Sequence, residues 1–202
     1  MAIEPINFVV FLMGPTASGK TELAIEISKH INSKLISVDS ALIYRGMDIG
    51  TAKPSKEILT AYPHELVDIC EPEDSFSVTE FISLAKEHIK SALAEGKLPI
   101  LVGGTSFYFN ALEHGLSELP SSTDESRKHF NDLLKSEGSV KLHSKLTEID
   151  PKSAARIHSN DSQRVTRALE VFHLSGETLS KLQGKKNQNK LDLNIKKIVL
   201  MP

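Results

Sequence analysis

The residues best suited to chemistry lie near the start of the chain, in Gly14-Pro15-Thr16-Ala17-Ser18-Gly19-Lys20-Thr21. This segment fits the pattern GxxxxGK[ST] and stands between an apolar run and a helical pattern, the context expected of a phosphate-binding P-loop. Its glycines let backbone N–H groups turn toward phosphate oxygens, and the helix N-terminus adds partial positive charge. Lys20 supplies a mobile cation, and the Thr21 hydroxyl can ligate Mg²⁺. The motif predicts a polyphosphate ligand, such as ATP or another nucleotide, without identifying it.

A carboxylate, Asp39, follows the short apolar run Leu35–Val38. Ligands of an open parallel sheet bind at the carboxyl edge of its strands, so we expect Asp39 to lie near the P-loop. Its position leaves three roles open. Asp39 could belong to the Mg²⁺ shell, act as a general base on an acceptor nucleophile, or cap the segment that follows it.

The elements that must position these residues alternate between strand and helix patterns. A helix capping box is formed by Ser77 and Glu80, three residues apart. The predicted strands are Phe8–Met13, Leu35–Val38 and Leu98–Val102, and the predicted helices of this region are Glu22–Ile31 and the one that starts at Ser77. Buried strands separated by helices predict an α/β fold, here a P-loop NTPase-like parallel sheet flanked by helices.

Beyond about Leu112 the patterns predict only helices until residues 183–190, which form a polar linker, and a strand at 196–201. We therefore expect a P-loop core over 1–112, an all-helical insertion domain over 113–190, and a strand that returns to the core within 191–202. A domain rarely ends where its sheet resumes, so we expect the chain to be part of a longer protein.

Composition excludes several classes of protein. The 202 residues are 40% hydrophobic and 25% charged, ordinary values for a globular protein. No apolar run approaches the roughly 20 residues of a membrane span, and the N-terminus lacks the pattern of a signal peptide. The single cysteine, Cys70, excludes an internal disulfide and a cysteine-based zinc site. The simplest interpretation is a cytoplasmic protein.

Charge is unevenly placed along the chain. Residues 1–150 carry 14 basic and 22 acidic residues, a net charge of −8, whereas residues 151–202 carry 10 and 4, a net charge of +6. A basic C-terminal quarter suggests a polyanionic partner. The alternative is a solvated helical face without a partner.

Five motifs together resemble a known family. Residues 37–54 read SVDSALIYRGMDIGTAKP, and the others are GPTASGKT (14–21), PHELVD (63–68), GGTSFY (103–108) and NDSQRVTRALEV (160–171). In this order they resemble tRNA dimethylallyltransferases of the bacterial type, also called tRNA isopentenyltransferases. The family often has His-His where this chain has His64-Glu65. It also continues well beyond the equivalent of Pro202, so the resemblance implies truncation at the C-terminus.

The resemblance implies a prenyl transfer. The dimethylallyl group of dimethylallyl diphosphate would pass to the exocyclic N6 amine of the adenosine adjacent to the anticodon, with release of diphosphate. Lys20, and Mg²⁺ on Thr21, would neutralise the leaving group, and Asp39 would accept the amine proton. The adenosine must leave the anticodon-loop stack. The implied partners are the anticodon stem-loop of tRNA and dimethylallyl diphosphate. The protein is expected to be a monomer that does not associate with a membrane.

The resemblance also assigns further site residues. Asp39, Ser40, Ala41 and Leu42 would line the acceptor adenosine. Thr105 would be a catalytic residue whose hydroxyl contacts a phosphate or the base, with a helix N-cap as the alternative. Arg127 would contact tRNA, with an exposed arginine as the alternative.

A helix that starts at Asp161 carries the last assigned residues. Helical periodicity puts Val165, Ala168, Leu169 and Phe172 on one side, and Gln163 and Arg167 on the other with Arg164 beside them. Guanidinium groups stack on unpaired bases and bind phosphates, so this polar side could meet RNA. The tRNA-binding residues implied here are Gln163, Arg164, Val165, Thr166 and Arg167.

Two other function classes share the P-loop. A small-metabolite or nucleoside monophosphate kinase also carries an acidic strand end, but normally has an arginine-rich mobile lid. A nucleotide-dependent RNA-binding switch of the GTPase type would have an NKxD motif, which is missing from the sequence.

Lys53 could be a second cation near the diphosphate, or it could only stabilise its loop.

Overall fold

A computed structural model of the chain describes residues 6–184 and 190–201. The strands are β1 (Phe8–Met13), β2 (Ser33–Val38), β3 (His64–Glu65), β4 (Leu98–Gly103) and β5 (Asn194–Val199). The helices are α1 (Lys20–His30), α2 (Lys56–Ala61), α3 (Val78–Ala94), α4 (Ser106–His114), α5 (Asp124–Glu137), α6 (Ser139–Ile149), α7 (Pro151–Ala154), α8 (Ser162–Ser175) and α9 (Leu179–Gln183).

The five strands form one parallel sheet in the order β3-β2-β4-β1-β5. Gly103, the last residue of β4, is paired with Met13 on one side and with Val38 on the other. A β-carbon at Gly103 would lie 2.0 Å from the Val38 carbonyl oxygen, so only glycine fits between these strand ends. Because the three strands end level with one another, the segments that follow them share one edge of the sheet.

Helices cover both faces of the sheet. On one face the apolar sides of α3 and α4 pack on residues of β1, β2 and β4, with Phe11, Phe81 and Phe109 almost completely buried. On the other face α1 packs through Ala24. Burial of apolar area on both faces stabilises the strands β1, β2 and β4 by the hydrophobic effect. The predicted α/β fold with a P-loop-type parallel sheet is confirmed.

The described residues fall into two compact units. The sheet unit takes in residues 6–116 and 190–201, and the helical unit takes in residues 117–184. The helical unit has its own apolar core, to which α5, α6 and α8 contribute Phe130, Leu142, Leu146 and Val165. Asp161 caps α8 as predicted, because its side chain accepts a hydrogen bond from the Arg164 N–H.

Some elements were not predicted from the sequence. They are the short elements β3 and α2, whereas α6 and α9 fall in the stretch predicted as helical without bounds of their own. Residues 185–189 of the predicted polar linker lie outside the described residues. No helix in the described part of the chain combines the length and apolarity needed to cross a bilayer.

Candidate active site

The P-loop has the backbone conformation that its glycines permit. Gly14 has a φ of 156°, and a β-carbon there would lie 2.6 Å from the Leu200 carbonyl oxygen and 2.8 Å from Ser18 Oγ. Gly19, at a φ of 82°, is the N-cap of α1 and forms no side-chain capping hydrogen bond. The start of α1 is therefore open to an anion, whose oxygens can accept hydrogen bonds from its N–H groups.

The Lys20 side chain folds back over this loop. Its ammonium group donates hydrogen bonds to the Pro15 carbonyl oxygen and, at 3.4 Å, to Ser18 Oγ. Burial lowers the pKa of Lys20, and the carboxylates of Asp39 and Glu22 act in the opposite direction. A phosphate oxygen arriving in the loop can replace these neutral acceptors with a charged one.

Asp39 caps the turn that follows β2. Its Oδ1 accepts hydrogen bonds from the N–H groups of Ala41, at 2.8 Å, and Leu42, at 3.3 Å. Its second oxygen, Oδ2, has no hydrogen-bond partner within the described ranges. Asp39 therefore combines one anchored oxygen with one that can accept a proton or ligate a cation. The capping role is observed, and the other two roles stay open.

Thr105 is joined to the segment that carries Asp39. It occupies the N-cap position of α4 but makes no side-chain capping hydrogen bond. Its Oγ1 instead accepts a hydrogen bond from the Ser40 N–H at 3.2 Å, and its own N–H donates to the Val38 carbonyl oxygen at 3.3 Å. The N-cap alternative for the hydroxyl is thus wrong, because that oxygen serves a neighbouring loop.

One cavity of about 340 Å³ collects the candidate residues at the carboxyl edge of the sheet. Of the predicted site residues, those that line it are Thr16, Ala17, Ser18, Gly19, Lys20, Thr21, Asp39 and Leu42. The predicted site residues of the sheet unit that do not line it are Gly14, Pro15, Ser40, Ala41 and Thr105. The P-loop and the acidic strand end thus face the same space.

Sequence reasoning missed more than half of the residues that line the cavity. The additional lining residues are Glu22, Ser37, Thr51, Ala52, Pro54, His64, Val67, Val102, Gly103 and Gly104. Ser37 was predictable from the sequence, because it lies near the end of the strand that Asp39 follows. The loop residues carried no periodic signal, so only the tertiary structure reveals them.

His64 lies in this wall, where burial favours the neutral form of its ring. Its Nδ1 lies 2.7 Å from the Tyr62 carbonyl oxygen, so Nδ1 is the protonated nitrogen of the neutral ring. Burial lowers the pKa of His64, and the hydrogen bond to Tyr62 opposes that shift only in part. The Nε2 atom is buried without a hydrogen-bond partner in the described structure.

The donor types in this cavity are compatible with a magnesium ion. Mg²⁺ in phosphate-handling sites is bound by one or two protein oxygens together with substrate oxygens and water. The Thr21 hydroxyl and the Asp39 carboxylate line the same cavity and supply such oxygens. The described residues contain no cluster of three or more His, Cys, Asp or Glu that would form an all-protein metal site.

Four of the six predicted tRNA-binding residues of the helical unit line a second cavity, of about 380 Å³. Its lining residues are Arg127, Phe130, Asn131, Gln163, Thr166, Arg167 and Glu170. Arg127 has a side chain that is 65% exposed, 3.8 Å from Asp124. Arg164, 76% exposed, forms an ion pair with Asp161 at 2.9 Å and does not line the cavity.

Two expectations for α8 need correction. Val165 is completely buried in the core of the helical unit, so its side chain packs against apolar neighbours rather than RNA. Arg167 is held within the unit, where it donates to Glu170 Oε2 at 2.6 Å, Ser122 Oγ at 2.8 Å and the Pro120 carbonyl oxygen at 2.6 Å. Glu170 is 5% exposed and was not predicted as a buried partner.

Comparison with known proteins identifies the family. The sequence model of the family described as IPP transferase matches residues 42–202. A protein of Ruthia magnifica named tRNA dimethylallyltransferase is 62% identical over the whole chain, which spans 66% of its length. A protein of Vesicomyosocius okutanii with the same name is 60% identical, again over 66% of its length. The chain thus spans just under two thirds of these relatives.

A solved structure agrees with the sequence comparison. The crystal structure of a eukaryotic dimethylallyltransferase described as acting on tRNA superposes with a TM-score of 0.75 at 25% identity, over 96% of this chain and 48% of that one. The family model covers the segment that contains Thr105, and the relatives also cover the P-loop and Asp39. On these grounds, the chain belongs to the IPP transferase family.

Proposed function

We propose that this protein transfers the dimethylallyl group of dimethylallyl diphosphate to the N6 amine of the adenosine adjacent to the anticodon in tRNA, releasing diphosphate. The observation that supports this most strongly is the shared cavity of the P-loop and Asp39. A loop that can bind the diphosphate leaving group then lies beside a carboxylate that can take up a proton. Family membership favours this reaction over a kinase, which would use the same loop for ATP.

In this proposal the P-loop binds the diphosphate part of the donor. Backbone N–H groups of the loop and the start of α1 donate hydrogen bonds to its oxygens, and Lys20 turns from Pro15 and Ser18 toward them. A bound Mg²⁺, held by Thr21 and substrate oxygens, would offset negative charge on the leaving group. These interactions strengthen as the leaving group gains charge, so they favour the transition state.

The acceptor amine is a poor nucleophile because its lone pair is delocalised into the purine ring. As the N6 lone pair forms a bond to C1 of the donor, the C1–O bond breaks and its electron pair leaves with the diphosphate. The nitrogen must then lose a proton, and the unpartnered Oδ2 of Asp39 can accept it. The hydrogen bonds from Ala41 and Leu42 to Oδ1 hold the carboxylate in place for that transfer.

We assign tRNA binding in part to the helical unit, through Arg127 and Gln163. These side chains line one cavity and offer guanidinium and amide groups to unpaired bases and phosphates. Arg164 extends this surface, because its guanidinium is exposed to solvent. We further propose that the protein acts as a monomer in the cytoplasm, on the anticodon stem-loop.

Label transfer tests this proposal directly. The chain is incubated with Mg²⁺, an anticodon stem-loop and dimethylallyl diphosphate labelled in its five-carbon group, and in parallel with γ-labelled ATP and a panel of nucleosides. We expect label in RNA, on the adenosine next to the anticodon, and none in the nucleosides. Transfer of phosphate from ATP without transfer of the allyl group would assign the protein to the kinases instead.

A further inference from the structure

The Lys53 ammonium group is enclosed by three acceptors. Its side chain is only 3% exposed, and Nζ donates to Asp68 Oδ1 at 2.6 Å, Asp48 Oδ1 at 2.9 Å and the Tyr44 carbonyl oxygen at 2.9 Å. An ammonium group has three donors, so this set satisfies it completely. Lys53 does not line the P-loop cavity, which removes the interpretation as a second cation on the diphosphate.

The chain on either side of Lys53 does line that cavity. Thr51, Ala52 and Pro54 form part of its wall, and Val67, next to Asp68, forms another part. Lys53 therefore connects the segment around Ala52 with the segment around Val67, on the side that faces away from the cavity. The wall that they form is mostly apolar, whereas the P-loop side of the cavity carries the backbone donors and Lys20.

The two segments carry unfavourable backbone conformations. Ala52 has a φ of 56°, Leu66 of 64° and Asp68 of 54°, all in the left-handed region that L-residues rarely adopt. Such conformations persist only where surrounding interactions fix them. The three hydrogen bonds of Lys53 join residues 44–53 to residue 68 and supply such an interaction.

We infer that Lys53 is a positioning residue, which holds the wall formed by Ala52, Pro54 and Val67 in the shape that receives the apolar dimethylallyl group of the donor. The inference rests on the proposed function, because it divides one donor between two sides of the cavity. The P-loop binds the charged diphosphate, and the wall binds the five-carbon group. Without the Lys53 cation, the Asp48 and Asp68 carboxylates repel each other and the two segments separate.

Calorimetric titration of two ligands tests this division. The ligands are inorganic diphosphate and a non-reactive thiolodiphosphate analogue of dimethylallyl diphosphate, each with Mg²⁺ and the full chain. For Lys53→Met we expect affinity for the analogue to fall by at least about tenfold, with affinity for inorganic diphosphate unchanged within about twofold. Lys53→Arg, which keeps the charge, is expected to recover part of the loss.

Lys97→Met is the matched control, since Lys97 pairs with Glu95 at 2.7 Å in the same unit and lines no part of the cavity. It should change neither affinity. If Lys53→Met does not fold, Asp68→Asn provides a second variant, because it weakens one hydrogen bond of Lys53 by removing the charge of the acceptor. It should show the same selective loss in weaker form.

Three results would overturn the inference. Equal losses for both ligands would mean that Lys53 only maintains the fold, and no loss for either would mean that the wall stands without it. If the wild-type chain binds the analogue no more tightly than inorganic diphosphate, the cavity has no apolar subsite for the five-carbon group. That third result also counts against the proposed donor, whereas the first two leave label transfer by the wild-type chain intact.

Discussion

The Thr105 hydroxyl oxygen accepts a hydrogen bond from the Ser40 N–H at 3.2 Å, which joins the end of β4 to the residue that follows Asp39. Asp39 is held from its other side by the N–H groups of Ala41 and Leu42. The proposed base is thus fixed by the turn that it caps, and that turn is fixed by a neighbouring strand.

Replacement of Thr105 by valine should therefore slow the chemical step without affecting the donor. Valine keeps the shape of the side chain but leaves the Ser40 N–H without its acceptor, so the turn around Asp39 loosens. We expect the single-turnover rate to fall by roughly tenfold, the equivalent of about 1.4 kcal/mol, and the affinity for a donor analogue to stay unchanged. Thr105→Ser should retain most of the rate, and an equally slow serine variant would show that this hydrogen bond is not the cause.

Lys20→Ala should abolish donor binding and turnover together. Lys20 is expected to contact the diphosphate in the ground state and the transition state alike, so its loss removes binding in both. Isothermal titration with inorganic diphosphate and Mg²⁺ measures the first effect, and label transfer the second. Lys29→Ala, at an exposed ion pair near the end of α1, is the control that should change neither. Unchanged affinity in the Lys20 variant would contradict the assigned role.

Stability should decline as the pH falls below the ordinary pKa of histidine. Burial lowers the pKa of His64 in the folded protein, so the unfolded chain binds a proton more readily at mildly acid pH. The stabilising effect of the neutral ring is complete above pH 6.5 and is lost as the pH falls from there, with a slope of at most about 1.4 kcal/mol per pH unit. Denaturant titrations between about pH 5 and pH 8 measure this dependence.

His64→Asn should flatten this dependence, because the asparagine amide can still donate to the Tyr62 carbonyl oxygen but does not titrate. An asparagine variant whose free energy of unfolding falls with acid as steeply as that of the wild type would assign the pH dependence to other groups.

The two arginines of α8 should differ in how they affect tRNA binding. Arg164 is exposed, so Arg164→Ala should reduce the slope of log affinity against log salt by about one if it contacts a phosphate. Arg167→Ala removes a partner from buried Glu170 and should also destabilise the helical unit, by about 3 kcal/mol. Fluorescence titration of an anticodon stem-loop across a salt series, with thermal unfolding of each variant, separates the effects.

An Arg164 variant with the wild-type salt slope would show that this guanidinium is only solvated. Lys152→Ala is a matched control, since Lys152 is an exposed cation of the same unit outside the cavity near α8. Its replacement should leave the slope unchanged.

Local signals account for the parts of the fold that were predicted. The run Phe8–Met13 is observed as β1, and the Ser77–Glu80 capping box opens α3 with both of its hydrogen bonds. In each case the deciding interactions lie within a few residues of one another. Strand β3 has two residues and no pattern of its own, so only its pairing with β2 identifies it as a strand.

The candidate site likewise has one part that local sequence signals predicted and another that depends on distant residues. The P-loop and Asp39 were predicted because a motif and a strand end mark them. The Lys53 cluster depends on Asp68, fifteen residues away, and the Arg167 network depends on Ser122 and Pro120, more than forty residues away. Helical periodicity places Arg167 opposite the apolar stripe, but it carries no information on which neighbouring segment packs there.

The role of Asp39 in the cavity is tested most directly by one measurement, the single-turnover transfer of labelled dimethylallyl by Asp39→Asn. Rates are compared with the wild type at saturating stem-loop and donor, and the affinity for each is titrated separately. The asparagine keeps an oxygen for the Ala41 and Leu42 N–H groups, so we expect both affinities to persist while the rate falls by about 10²- to 10⁴-fold. A near-normal rate would contradict the account, because Asp39 would then be only the cap of its turn.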